Sequence, residues 1–305
     1  MLKSKLCSPC PPESIAIPAE YQHIVISAEA VQAEIQRLRS QFQSIVPISG
    51  PAEPGDFVAA SSGEQSYTLN TARPYIMTEL TNACLGKCAG ASFPLPDGTQ
   101  WTITAVKRKL LPPFDDQLAR RSGADSAADY VEKTKEQLIA EAKKRKMYAA
   151  EEFLSQQLIQ NSQYTLAHAE IQEMQEELLD EIHSGAQESG MSPAAMAAEW
   201  LQMFGLPEPE DPLSPEQAAA QMAEYQLKTI LLGCWYLKQL GGELTEKQYE
   251  KRISQMTTKE GLTADEARKA LSYPTFLFTK ASSQVRFYAR KYLKQAIQFD
   301  ITVEE

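Results

Sequence analysis

The chain has 305 residues, 43% hydrophobic and 23% charged, with a formal net charge of −10 and a pI near 5.0. That length suits two domains with a real core, and the composition excludes a disordered chain. No run of about 18 apolar residues occurs, which excludes a membrane-spanning helix, and the acidic balance argues against a nucleic-acid partner, because phosphate needs a basic face. The opening residues, MLKSKLCSPCPPESIAIP, hold no apolar stretch of secretory-signal length, so a cytoplasmic protein is expected. The acidic excess lies beyond residue 110, since residues 1–110 carry nine basic and nine acidic side chains. The one basic cluster, Lys143-Lys144-Arg145-Lys146, reads as a solvated helix face. Five cysteines, an odd count, argue against a disulfide framework. Cys7 and Cys10 have redox or metal-knuckle spacing but lie in a Pro-rich stretch, and only Cys84 and Cys88 are available to complete a zinc set. His23, His168 and His183 are scattered, so free thiols with no metal and no cofactor are expected.

A helical pattern opens at Ser27, a candidate N-cap, with Val31, Ile35, Leu38 and Phe42 at steps of four, three and four. The spacing predicts a helix reaching Val46 and stopped by Pro47, Pro51 and Pro54. Residues 56–110 then read as short β segments around one helix-like stretch: Phe57-Val58, residues 66–69 and the alternating residues 101–106, with Asp97-Gly98 as the turn before the last. So small a core would lean on its neighbour for stability. After Pro112-Pro113 the pattern is almost wholly helical. Residues 125–159 predict one long helix or two joined ones, and Ile171, Met174, Leu178 and Ile182 mark another. Ser192-Pro193 and Ser214-Pro215 each start a helix, Thr245 with Gln248 and Thr263 with Glu266 have capping-box spacing, and the last helix is expected over residues 279–297. Residues 205–215, acidic and Pro-rich, read as a loop or hinge. No internal repeat or sustained heptad occurs, so an irregular helical domain is expected rather than a coiled coil.

This order is a helix, a small β-rich insert and a long Gln- and Glu-rich helical region. Residues 27–46, SAEAVQAEIQRLRSQFQSIV, are similar to the linker helix of the trigger factor family, and Gly55-Asp56-Phe57-Val58 to the opening strand of that family's FKBP-type isomerase domain. Residues 101–109 followed by LPPFDDQLARRSG at 111–123 resemble the signature leaving that domain. The resemblance implies a mostly α fold with a small α+β insert. Residues 1–26 would be tail and linker, 27–47 a helix packing on the helical domain, 48–110 a reduced FKBP-like module, and 111–305 the helical chaperone domain. Two departures accompany it. Nothing before Ser27 resembles the family's ribosome-binding loop, so no autonomous ribosome binding is expected. The family's Ile-Pro-Gly-Phe-Glu run aligns with Met77, Thr78, Glu79, Leu80 and Thr81, and Ala59-Ala60-Ser61 stand where acidic and aromatic residues are expected. Catalysis of this type stabilises a twisted prolyl amide in an aromatic pocket, against a barrier of about 18–20 kcal/mol. Without the aromatic floor the module is expected to be a degenerate, inactive remnant.

The function implied is an ATP-independent chaperone for unfolded or nascent polypeptides, acting off the ribosome, with no membrane and no nucleic acid as partner. Client contacts fall on Trp200, Leu201, Met203 and Phe204 and on Tyr273, Phe276 and Phe278, unless these are ordinary inter-helix core. The alternatives are an active peptidyl-prolyl isomerase and a non-catalytic assembly or scaffold protein, homodimeric through the helical region. No GxGxxG, P-loop, paired metal motif or nucleophile elbow points to another enzyme class.

Overall fold

The structure, a computed structural model, describes residues 3–73, 77–206 and 211–304. Residues 207–210 of the expected acidic loop, 74–76 of the expected module and 1–2 of the expected tail lie outside the described residues. The elements in chain order are β1 (Lys5–Ser8), β2 (His23–Ile26), α1 (Ala28–Gln41), β3 (Ser44–Ile48), β4 (Phe57–Ser62), β5 (Gln65–Asn70), α2 (Thr78–Cys84), β6 (Ser92–Pro94), β7 (Gln100–Leu110), α3 (Asp116–Arg121), α4 (Ala127–Asn161), β8 (Gln163–Thr165), α5 (His168–Ser189), α6 (Pro193–Met203), α7 (Pro215–Gln239), α8 (Glu246–Glu260), α9 (Ala264–Ala270), α10 (Tyr273–Ala296) and β9 (Asp300–Val303). The chain is mostly α with a small α+β part. It divides into two compact units, Met1–Ile24 with Glu141–Asp300 and Val25–Ala140 with Ile301–Glu305.

The first unit is helical. Its starts follow local chemistry: Ser192, Ser214, Thr245, Thr263 and Ser272 each accept a backbone N–H three residues on, and three of these caps are full capping boxes. Met174, Leu178 and Ile182 on α5 pack with Met222, Leu227 and Ile230 on α7 and with Phe276 and Ala281 on α10. A second cluster joins Leu154 and Leu158 of α4 to Leu232 and Tyr236 of α7 and to Val285 and Leu293 of α10. Gly233 sits at a close approach of α7 and α10: a Cβ there would lie 2.5 Å from the Cα of Ala281. The last helix starts at Tyr273, not at residue 279 as expected from the sequence. Pro274, which reads as a loop marker, lies in its first turn, where proline has no N–H to lose.

Residues 3–24, expected as tail and linker, belong to this unit. β1 pairs antiparallel with β8, Leu6 opposite Tyr164. The Cys10 N–H donates to Ser162 Oγ at 2.8 Å, and the Glu170 carboxylate accepts the Lys3 and Ser4 N–H groups at 2.6 and 3.0 Å. Cys10 is buried with Ile15, Ile17 and Tyr21 packed around the same cluster.

The second unit holds the sheet. Ser27 Oγ accepts the Ala30 N–H at 3.2 Å and starts α1, but the helix ends at Gln41, five residues short of the expected Val46. Ile45 and Val46 are β-branched and continue as β3, an edge strand on β7 with Val46 opposite Arg108. Pro47 fits there because an edge strand tolerates a missing donor. The sheet order is β3-β7-β4-β5, with β6 also on β7. Alternation along β4 and β7 sends Val58, Ala60, Trp101 and Ile103 to one face, where Leu80 and Cys84 of α2 cover them. Asp97 and Gly98 form the expected turn: Gly98 has φ +84°, and the Leu95 N–H donates to the Thr99 carbonyl at 2.9 Å. Arg39 Nε on α1 donates to the Pro112 carbonyl (2.7 Å) in the segment between β7 and α3, and Arg121 of α3 lies over the Phe42 ring (4.4 Å) at the end of α1. Residues 27–47 thus belong to the sheet unit.

Candidate functional site

Met203 and Phe204 from one loop-flanking apolar cluster and Phe278 from another meet at one hollow of the helical unit. The Ser192 cap sets the register of α6 so that Met196, Ala197 and Leu201 enter the core while Trp200 stays half-buried on its flank. Phe204 closes the helix and stacks on Phe278 of α10, with ring centroids 5.2 Å apart and planes within 15°. The same ring meets Tyr225 of α7 edge-on at 6.4 Å. Ser272 sets α10 in a matching way: its Oγ accepts the Thr275 N–H at 3.3 Å, Phe276 and Leu277 go inward, and Phe278 turns to the flank.

These rings line a hollow of about 340 Å³ between α4 and α10. Ile159, Phe204, Tyr225, Phe278 and Val285 give its apolar surface, and Ser155, Gln156, Thr279, Ser282 and Ser283 its polar edge. Met203 stands at the rim, 73% exposed. Burial pushes the Tyr225 phenol above its ordinary value, so it is neutral and acts as an aromatic wall with a hydrogen-bonding tip. A concave aromatic surface with a flexible thioether at its lip and hydroxyls around it can hold an apolar side chain of varied shape while leaving the peptide backbone its hydrogen bonds.

Of the sequence candidates, Met203, Phe204 and Phe278 come together here. Leu201 and Phe276 are core residues. Tyr273 lies elsewhere, edge-on to Tyr249 at 5.2 Å, and lines a hollow with Cys234, Leu244, Pro274 and Leu277. Ile159 and Tyr225 escape sequence reasoning because their own helices give no sign that they face a gap.

The run read as the isomerase remnant is split between surface and core. Met77 has φ +51° and caps α2, and it is exposed with Thr78 and Glu79. Leu80 and Thr81 are buried, Leu80 in the sheet core beside Trp101. Burial pushes the Cys84 thiol up to about 11, which keeps it protonated and unreactive near neutral pH. Cys7 Sγ lies 3.2 Å from Thr165 Oγ1, and Cys10 is packed in the core. Among the described residues no group of three or more His, Cys, Asp and Glu side chains is arranged to hold a metal, and no helix is long and apolar enough to cross a membrane.

No family model matches the chain. A solved chain studied for promiscuous substrate recognition in folding and assembly by the trigger factor chaperone aligns with a TM-score of 0.44 and 16% identity over 88% of this chain and 67% of that one, too loose a likeness to argue from. The trigger factor of Streptococcus agalactiae serotype III (strain NEM316) is 26% identical over 283 residues. That of Streptococcus pyogenes serotype M49 (strain NZ131) is 25% identical over 285 residues. Each alignment covers 81% of this chain but 63% of the relative, so the chain spans less than two thirds of the length of these curated relatives. Over 81% of its length, then, the chain is similar in sequence to trigger factors.

Proposed function

We propose that the chain is a molecular chaperone that holds unfolded polypeptide without ATP, seating apolar side chains in the hollow between α4 and α10. The observation that carries this is the stacked pair Phe204–Phe278 opening onto the hollow with Met203 exposed at its rim. A flexible Met side chain beside aromatic rings suits a surface that takes partners of varied shape. The similarity to trigger factors supports the same reading, and the module at residues 48–110 then acts as structure rather than as an isomerase. Leu80 supports this part, because its side chain is committed to the sheet core.

One purified sample tests both halves. It should suppress aggregation of a chemically denatured client as its concentration rises, and leave the proline-limited phase of a refolding protein unchanged. Acceleration of that phase at sub-stoichiometric amounts would show the remnant to be an active isomerase. Failure to suppress aggregation would refute the holding activity and favour an assembly role.

A further inference from the structure

The hollow that holds Phe204 and Phe278 is one end of a longer seam. A second hollow, of about 760 Å³, lies beside Tyr148 and is lined by Lys144, Arg145, Met147 and Arg290, with Glu141 also at its edge. Glu151 and Arg290 line this second hollow, and Glu152 and Arg286 the first. These residues pair across the seam: Glu151 accepts two bonds from Arg290 at 2.6 and 2.9 Å, and Glu152 lies 3.8 Å from Arg286. Residue 159 shares a hollow with residue 278, while residue 151 pairs with residue 290, so α4 and α10 run antiparallel along the seam. Arg145, Tyr148, Glu152, Gln156 and Ile159 recur at steps of three and four, as do Arg290, Arg286, Ser282 and Thr279. Each wall is therefore a single helix face, and the two hollows are consecutive along it.

The two ends differ in chemistry. One is aromatic and apolar. At the other, Tyr148 is 56% exposed one helical turn beyond Lys144 and Arg145, which line the same hollow. Arg290 is neutralised by Glu151, while Lys143 and Lys146 flank the pair on α4. A cationic end on a chain of net charge −10 is a local exception, and it complements a carboxylate that the rest of the surface repels. Along α4 the rise from Arg145 to Ile159 is about 21 Å, which an extended peptide spans in about six residues.

We propose that the seam reads two features of its client at once: an apolar side chain at the Phe204–Phe278 end and an acidic side chain at the Lys144–Arg145 end, about six residues apart in an extended segment. This rests on the reading of the first hollow as a client site. It assigns a role to the basic cluster on α4 and defines a class of preferred segments within the broad set of unfolded chains.

Fluorescence anisotropy on the full chain at low salt, with labelled unstructured peptides, tests it. One peptide carries Phe-Leu and, six residues on, Glu-Glu; a second has the same composition with the Glu pair next to the Phe-Leu; a third replaces Glu-Glu by Gln-Gln. The first should bind about fivefold more tightly than the other two, as two exposed charge contacts allow, and this preference should fade as salt is raised. Lys144→Glu with Arg145→Glu should reduce the first peptide to the affinity of the third, with an unchanged melting curve. Equal affinities for the three peptides would overturn the two-feature reading while leaving the holding site intact. A preference that survives the double substitution would place the carboxylate elsewhere and overturn it too. No binding of any peptide would remove both this inference and the client site on which it rests.

Discussion

The helical unit and the sheet unit bury their apolar residues by different means. In the sheet, alternation along β4 and β7 places Val58, Ala60 and Ile103 fully out of solvent on one face, and a single short helix covers them. The loop entering that sheet is held by Asp56, whose carboxylate takes two bonds from Arg108 at 2.9 and 2.8 Å and one from the Glu53 N–H at 2.8 Å. In the helical unit, small residues such as Gly233 and Ala281 let α7 and α10 approach closely, while the seam of α10 with α4 stays open enough for hollows. Ridges of side chains do not mesh along the whole length of two helices, so helix packing leaves grooves whose walls are side chains. Such walls can adapt to a variable partner, which a pleated core held in register does not do.

Truncating one core residue in each unit sharpens that contrast most. Ile103→Ala and Leu154→Ala each remove a fully buried side chain, and each should cost about 2–5 kcal/mol. The tryptophans report the units separately: Trp101 lies in the sheet core, whereas Trp200 and Trp235 pack against the helical clusters. In urea unfolding of single-tryptophan variants, Ile103→Ala should move only the Trp101 transition and Leu154→Ala only the others. A common shift of both would show one cooperative body and end the comparison.

Gly233→Ala tests the close approach in the helical unit. The added methyl meets backbone of α10, which cannot rotate away, so about 3 kcal/mol is expected at the upper end of overpacking costs. Gly185→Ala is the control, because its Cβ would touch only the flexible Met196 side chain, at 3.5 Å. Thermal unfolding should show a large loss for the first and little for the second.

The sheet unit should respond to acid through Asp56. The Arg108 guanidinium beside it, helped by the Glu53 N–H, holds its carboxyl below the usual carboxylate range. A depressed folded value means the stabilisation is complete above the unfolded value, near 4, and fades as pH falls through the folded value. Asp56→Asn should therefore cost about 2 kcal/mol at pH 7, discounted because Arg108 is partly solvated, and the cost should shrink below pH 4. The Trp101 transition, followed from pH 7 to pH 2, checks this, and a pH-independent difference would refute it.

How much of this was legible in the sequence depended on distance along the chain. The caps at Ser27, Ser192, Ser214, Thr245 and Thr263 were readable because each is chemistry between residues three apart. The end of α1 was not, because Ile45 and Val46 turn to strand only when β7, some sixty residues on, offers an edge. The pairing of β1 with β8 joins short segments with no alternation to read, and Pro274 has opposite meanings before and inside a first turn. In the hollow, Phe204 and Phe278 were visible as aromatic clusters, whereas Ile159 and Tyr225 acquire their place only from tertiary packing.

Met203→Ser should have the smallest effect on stability and is the most pointed test of what the helical seam is for. The side chain is 73% exposed at the end of α6, so its loss should change unfolding free energy by no more than about 0.5 kcal/mol. Suppression of client aggregation should nonetheless weaken, because the flexible thioether at the rim adapts to the shape of a client side chain seated in the hollow. Phe204→Ala would not separate the two effects, since its ring also supports Phe278 and Tyr225. An unchanged melting curve with a reduced holding capacity assigns the exposed methionine to binding. Unchanged capacity in that variant would mean that clients are held elsewhere and that the openness of the seam is only a consequence of how the helices pack.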